Sequence, residues 1–366
     1  MKLLLKELAA YLDSEIPLSF QESYDNSGLQ VGSPDDEKSS ALLTLDVTEA
    51  VIREAAASGC DVIISHHPLI FGGLKSIGGK TATERIISEA IKRNIAVYSA
   101  HTNLDAFDGG VSMRLAGELG LKDVRVLSPL KNRLLKLVAF VPESHLDNVR
   151  NAVFEAGAGV IGNYDRCGFT LKGTGSFRGG EDTNPFSGKK GSESFVNELR
   201  FETILFSHNI SRVVKALLAS HPYEEVAYDL YPLVNANIRA GMGAIGITDA
   251  DYDEIEFLNA VAEKLGAAGV RYSQLTGKKV RKVALCGGSG SFLLGEAIAA
   301  GADAFITGDI KYHTFAEAEN KILIVDAGHY ETEKFATGII YDLIIKKFPK
   351  FAVRFSGTNT NPINYL

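Results

Sequence analysis

The stretch "ALLTLDVTEAVIREAAASGCDVIISHHP" (residues 41–68) decides the fold, because a second stretch, "KVALCGGSGSFLLGEAIAAGADAFITGDIKYH" (282–313), repeats its grammar. Each reads as an apolar strand, a small polar or Gly-rich turn, an amphipathic helix, and then Gly-x-Asp leading a second apolar strand. Gly59 and Asp61 match Gly301 and Asp303. The likeness continues in "NIAVYSAHTNLD" (94–105) and "NKILIVDAGHYETE" (320–333), each a β-rich run ending at a histidine, which puts His101 and His329 in equivalent places. Strands alternating with helices imply βαβ units and mainly parallel sheets, whose ligands gather beyond the carboxyl ends of the strands. The histidines sit at those ends. A general likeness among all βαβ units is the competing account of the repeat.

Residues 128–236 follow another rhythm. Strand "LLKLVAFVP", helix "HLDNVRNAVFEAGA", strand-like "YDRCGFTLKGTGSF", strand "ELRFETILFS", helix "ISRVVKALLAS" and strand "EVAYDLYPL" give the order βαββαβ, the ferredoxin-like arrangement. The Gly/Ser-rich stretch "RGGEDTNPFSGKKGSE" (178–193) is a long loop between its middle strands. The predicted organisation is therefore α/β: a first lobe at 1–127, an inserted ferredoxin-like domain at 128–236 and a second, related lobe at 237–366.

Composition narrows the partners. The chain has 366 residues, 45% hydrophobic and 23% charged, with a formal net charge of -7 and no Lys/Arg-rich run. Counterion release therefore offers little attraction to a nucleic acid. The nearest basic cluster, in "LTGKKVRKVAL" (275–285), reads more simply as a solvated loop before a strand. The opening "MKLLLKELAAYLDSEIPLSF" carries Lys6, Glu7, Asp13 and Glu15 within its apolar stretch, so it reads as an amphipathic helix and not a signal peptide. No apolar run approaches the roughly 20 residues that span a bilayer. Cys60, Cys167 and Cys286 lie far apart and form no CxxC pair, against thiolate zinc and a disulfide framework. These features predict a cytoplasmic protein with no membrane partner.

Three weak signals then converge. His66 and His67 lie past the end of the strand Val62 to Ser65, where the chain turns at Pro68 and both can face one site. Taken alone, such a pair is more often structural or at the surface. His329 and Glu333 are spaced i, i+4 on one face of a helical first turn, although Glu there also suits the helix dipole. Asp105 follows His101 in a polar turn, where it or Asp108 can instead cap the helix that follows. All are His or carboxylate, all at strand carboxyl ends, and they come from both halves of the repeat. Such a set suits Zn, Mn, Fe or Ni at an open, water-bearing site. Five side chains, His66, His67, Asp105, His329 and Glu333, can hold two divalent ions about 3.5–4 Å apart if a carboxylate bridges them.

Other features carry less. Asp46, ending the strand "LLTLD", is a candidate to orient a ligand imidazole. His101, and His313 after "TGD" where the first half has His66 and His67, are candidates for proton transfer or for a structural hydrogen bond. "GGSGSF" (287–292) lies between a strand and a helix, but matches neither GxGxxG nor GxxxxGK[ST] and reads as a tight turn. No GxSxG elbow or Cys–His pattern is present.

In order along the chain, "ESYDNSGLQVG" (22–32), "SHHPLIF" (65–71), "SAHTNLDAFDGGV" (99–111), "GDIKYH" (308–313) and "GHYETE" (328–333) resemble the Nif-three-like dinuclear metal-centre proteins, also labelled type 2 GTP cyclohydrolase I homologues. The resemblance covers the chain outside the insert. It implies metal ligation by His66, His67, Asp105, His329 and Glu333, and a homohexameric ring with the sites facing its interior. The insert resembles the PII- and CutA-like domain of the longer bacterial members, "HPYEE" (221–225) included. The cyclohydrolase label implies attack of metal-activated water on the guanine ring of GTP. Two functional readings follow: a metal-dependent hydrolase of a nucleotide-like small molecule, or a non-catalytic metal-binding regulator or scaffold that senses a ligand through its insert.

Overall fold

Ala41 to Thr44, Val62–Ser65 and Ala96–Ser99 are buried along their whole length, as short runs of aliphatic residues are when helices cover both faces of a parallel sheet. The computed structural model, which describes residues 1–366, places them at the centre of a five-stranded sheet in the order Ala352–Phe355, Ser40–Thr44, Val62–Ser65, Ala96–Ser99, Gly28–Val31. All pairs are parallel except the last. A second sheet has six strands in the order Arg271–Tyr272, Leu323–Asp326, Ala304–Thr307, Val280–Leu285, Asn237–Tyr252, Lys122–Leu130, with a parallel centre and antiparallel neighbours around it.

The repeat is built the same way in both sheets. Helices Glu49–Ser58 and Leu294–Ala299 are each followed by a left-handed glycine, Gly59 at φ 69° and Gly301 at φ 68°, the conformation that lets the chain reverse into the next strand. Two residues later Asp61 accepts the amides of Ser39 and Ser40, and Asp303 those of Arg281 and Lys282, fastening the start of one strand to that of its neighbour. Val62 then faces Ala41 and Ala96, as Ala304 faces Val283 and Leu323.

Each lobe as drawn from the sequence lends elements to the other. Lys122–Leu130 is an edge of the second sheet, and helix Val111–Glu118 buries Leu115 and Ala116 in that sheet's core. In return, helix Ala336–Lys347 packs Ile339, Ile340, Leu343 and Ile344 beside Leu8, Leu12 and Leu43, and Ala352–Phe355 pairs with Ser40–Thr44. Boundaries at 127 and 237 therefore do not separate the two cores. Local periodicity marks a strand but not the sheet it joins.

The chain divides into two compact units, Met1–Pro129 with Arg239–Leu366, and Leu130–Ile238. In the second, strands Leu134–Pro142, Gly168–Arg178, Glu193–Phe206 and Tyr228–Leu233 form an antiparallel sheet in chain order four, one, three, two. Helices Leu146–Glu155 and Ile210–Ser220 cover one face, with Val149, Val153, Val213 and Leu217 set against Leu137, Ala139, Phe201 and Leu205. That is the βαββαβ arrangement. No helix of the protein is long and apolar enough to cross a membrane.

Candidate metal centre

After Ser65 the strand stops but its register persists for two residues, because the amides of His66 and His67 donate to the carbonyls of Thr44 and Leu45. Ser65 Oγ donates to the His67 carbonyl at 2.7 Å and bends the chain there, so the two rings end 5.1 Å apart instead of on opposite faces. Every neighbouring imidazole is held by Nδ1. His66 Nδ1 donates to the Ala100 carbonyl at 2.8 Å, His67 to Asp46 Oδ1 at 2.7 Å, His101 to Asp25 Oδ1 at 2.8 Å and His329 to Asp309 Oδ2 at 2.7 Å. An imidazole that spends Nδ1–H on an acceptor presents Nε2 as its ligand atom.

The carboxylates meet those nitrogens. Helix His329–Glu333 puts its first and last residues one turn apart, and Glu333 Oε2 lies 2.9 Å from Nε2 of both His329 and His67 and 3.8 Å from Nε2 of His66. Asp105, at the end of the short helix Thr102–Asp105, sets Oδ1 3.7 Å from His66 Nε2. Asp25 Oδ2 accepts the amide of Thr102 and fixes the start of that helix. Ligand atoms fall within 4.8 Å of one another in three overlapping groups: His66, Asp105 and Glu333; His67, His329 and Glu333; and His66, His67 and His101. Glu333 belongs to two of them.

Two atoms test whether metal fits. His66 Nε2 and Asp105 Oδ1 are buried and have no hydrogen-bond partner. Buried polar atoms are nearly always paired, and an orphaned nitrogen and carboxylate oxygen facing one another at 3.7 Å are a pair that an ion between them would satisfy. The remaining donors are nitrogen and oxygen only, a set borderline divalent metals accept.

Without a metal the cluster holds protons. Burial works to lower the pKa of His67, but the bonds to Asp46 and Glu333 outweigh it and raise it to about 10. Burial likewise opposes His329, which Glu333 and Asp309 raise to about 9. Burial lifts Asp105 to about 7, with Glu333 adding to the rise and the His66 ring opposing it. Glu333 stays ionised well below the usual carboxylate range, because the imidazoles around it overcome the cost of its burial.

The far wall is glycine. A Cβ on Gly288, at φ +59°, would stand 1.8 Å from Glu333 Oε1 and 3.2 Å from His329 Nε2, so only glycine admits the carboxylate. Thr332 Oγ1 accepts the Gly288 amide, and Thr307 Oγ1 donates to the Gly288 carbonyl, which pins the loop. The reading of "GGSGSF" as a plain turn missed this wall. Asp25 and Asp309 were also missed as orienting residues. Asp25 lies in the first motif quoted for the resemblance, and Asp309 takes the left-handed φ of 55°, a conformation unusual outside glycine.

Among the residues singled out from sequence, His66, His67, His101, Asp105, His329 and Glu333 come together, and Asp46 reaches His67. His313 does not. It is exposed on the short helix Tyr312–Ala316, its ring edge-on to Tyr312 at 5.2 Å. The strand register explains why: Thr307 stands where Ser65 does, so Gly308 and Asp309, not His313, take the places of His66 and His67.

Comparison with known proteins agrees with this architecture. The model of the family described as Duf34/NIF3 (NGG1p interacting factor 3) matches residues 3–362. A Halalkalibacterium halodurans protein named GTP cyclohydrolase 1 type 2 homolog is 42% identical, over 96% of this chain and 95% of its own length. A Bacillus subtilis protein of the same name is 39% identical over the same shares. The crystal structure of a Bacillus cereus protein related to NIF3 superposes with a TM-score of 0.87 at 38% identity and covers 99% of each chain. A Staphylococcus aureus protein does so with a TM-score of 0.79 at 29% identity, over 100% of this chain and 99% of its own. Matched along nearly all of its length, the chain belongs to the Duf34/NIF3 family.

Proposed function

We propose that the chain holds two divalent metal ions and is a metal-dependent hydrolase of a nucleotide-like small molecule. The observation that carries the reading is the buried pair His66 Nε2 and Asp105 Oδ1, which have no partner in the protein. His66, Asp105 and Glu333 would hold one ion, and His67, His329 and Glu333 the other, with Glu333 shared. Ions so held would supply Lewis acidity and allow water to act as a nucleophile near neutral pH.

The chain's own part is orientation and proton handling. Asp46, Asp25, Asp309 and the Ala100 carbonyl fix four imidazole planes before any substrate arrives. His101 makes no bond to Glu333 and lies at the partly open edge of the cluster, 5.3 and 5.4 Å ring to ring from His66 and His67. We give it the role of accepting a proton at Nε2, a role supported by ionised Asp25 behind Nδ1, which would stabilise the resulting imidazolium. His313, exposed and outside the cluster, is given no part in the transfer. The label carried by the relatives makes GTP the first substrate to assay.

Elemental analysis and GTP turnover on the same preparations test the reading. Wild type should carry about two ions per chain, Glu333→Ala fewer than one and His67→Ala about one, with turnover lost in both. Absence of bound metal after reconstitution would sink the central claim. Two ions with no turnover would move the assignment to the second reading, a non-catalytic metal-binding regulator, which is supported by an insert that has a core of its own. The homohexamer implied by the family resemblance belongs to the same proposal, and the native mass in solution, six chains or fewer, decides it.

A further inference from the structure

The inserted unit contains a lined cavity that the metal chemistry does not use. Between strands Gly168–Arg178 and Glu193–Phe206 the chain makes a closed loop: the Gly191 amide donates to the Gly179 carbonyl at 2.8 Å and shuts its neck. The Asn184 amide donates to Glu224 Oε1 at 2.7 Å, which folds the loop back towards residues 223–227. The half-open space beside the loop is about 260 Å³. That is slightly below the usual range for small-molecule pockets and suits a compact ligand.

Its walls are of two kinds. Phe177, Phe186 and Tyr223 supply aromatic surface, with the last two rings 5.7 Å apart. Glu198, Glu224 and Glu225 supply carboxylates, and no lysine or arginine lines the cavity. The arrangement is held from behind. The Tyr223 hydroxyl donates to Glu198 Oε1 at 2.8 Å, and the Tyr223 amide donates to His221 Nδ1. His221 Nε2 in turn donates to the Phe140 carbonyl in the sheet. Gly175 makes room for the other oxygen of Glu198, since a Cβ there would stand 2.2 Å from Oε2.

From this we infer that the cavity of the insert binds a compact organic cation, an alkylammonium group seated against Phe177, Phe186 and Tyr223 and neutralised by Glu198, Glu224 and Glu225. Ring faces attract a cation through their quadrupoles, and a carboxylate beside them adds charge complementarity. A phosphate-bearing ligand would meet three negative charges and no positive one. A bare metal ion would leave the apolar walls unfilled.

The test is ligand-observed NMR on the full chain with three probes: choline, its neutral isostere 3,3-dimethylbutan-1-ol, and ATP. Choline should bind in the millimolar range, with the isostere at least about tenfold weaker and ATP failing to displace bound choline. Glu198→Gln and Phe186→Ala should each weaken choline about tenfold. Phe186 is 53% exposed, so its removal leaves folding intact, which a thermal melt verifies. Equal binding of the isostere would overturn the inference, as would choline binding unchanged in both variants or absent up to about 50 mM. The choline outcomes do not depend on metal content, so the insert and the metal centre are tested separately.

Discussion

At the carboxyl end of Val62–Ser65 stand two imidazoles; at the matching end of Ala304–Thr307 stand Gly308 and Asp309. The frames around them are alike, down to the left-handed glycine and the aspartate that clamps the start of the preceding strand. Their chemistry is divided. The first half contributes His66, His67 and Asp105 directly. The second contributes His329 and Glu333, and otherwise gives room and orientation: a Cβ on Gly308 would stand 2.7 Å from the His329 amide nitrogen, and Asp309 holds the His329 ring. A repeated scaffold thus carries an asymmetric cluster, in which one half crowds imidazoles together and the other must stay small to receive them.

The sharpest way to break that comparison is to put one methyl group on a left-handed glycine in each half, one inside the site and one outside it. Gly288→Ala should lose metal from both positions and cost well over the roughly 1–2 kcal/mol of a left-handed alanine, because the new Cβ falls on Glu333 Oε1. Gly59→Ala, with φ 69° and nothing within 4 Å, should cost only that conformational amount and keep its metal. Denaturant unfolding together with elemental analysis reads both. Equal effects in the two variants would mean that the glycine wall is not what admits the carboxylate.

A smaller effect should appear on titration. His67 and His329 in the metal-free protein have pKa values raised to about 10 and about 9, against roughly 6.5 for a free imidazole. A raised histidine contributes stability that is complete below the unfolded pKa and disappears as pH rises through the folded one. Metal-stripped protein should therefore lose thermal stability between about pH 6.5 and 10. Metal affinity should rise over the same range, as competing protons leave. Melts of stripped and loaded protein across this range check it; a stripped protein whose stability is flat or rising would contradict the protonated cluster.

The smallest effect concerns what the halves share. Asp61→Asn and Asp303→Asn should each cost about 1–3 kcal/mol, since each carboxylate accepts two backbone amides. Asp61 should cost more, because it also accepts the Ser39 hydroxyl. Neither change should alter metal content.

Much of this was legible in the residues. The i, i+4 spacing of His329 and Glu333 and the position of His66 and His67 past a strand end are local signals, and local geometry decides which way those side chains can turn. The alternation of strands and helices was enough to recover both the repeat and the βαββαβ insert. What could not be read locally was partnership. Asp25 reaches His101 across 76 residues of chain, and an isolated aspartate in a turn has many ordinary uses. Gly288 looked like turn chemistry because its reason lies in Glu333, on another element. His313 was misplaced by counting residues from a motif, where strand register sets the true correspondence.

The exchange of edge elements between the sheets bears on how the chain is made. Ser40–Thr44 is completed on one side by Ala352–Phe355, which leaves the ribosome last among the strands. At about 5–20 residues per second, that flank stays bare for on the order of half a minute. An unpaired strand of aliphatic residues is a template for mispairing with other chains. The inserted unit, with its own core, can close during the wait, whereas the core around the imidazole–carboxylate cluster cannot. The nascent chain is most exposed to aggregation in that interval, and help from chaperones would matter most there.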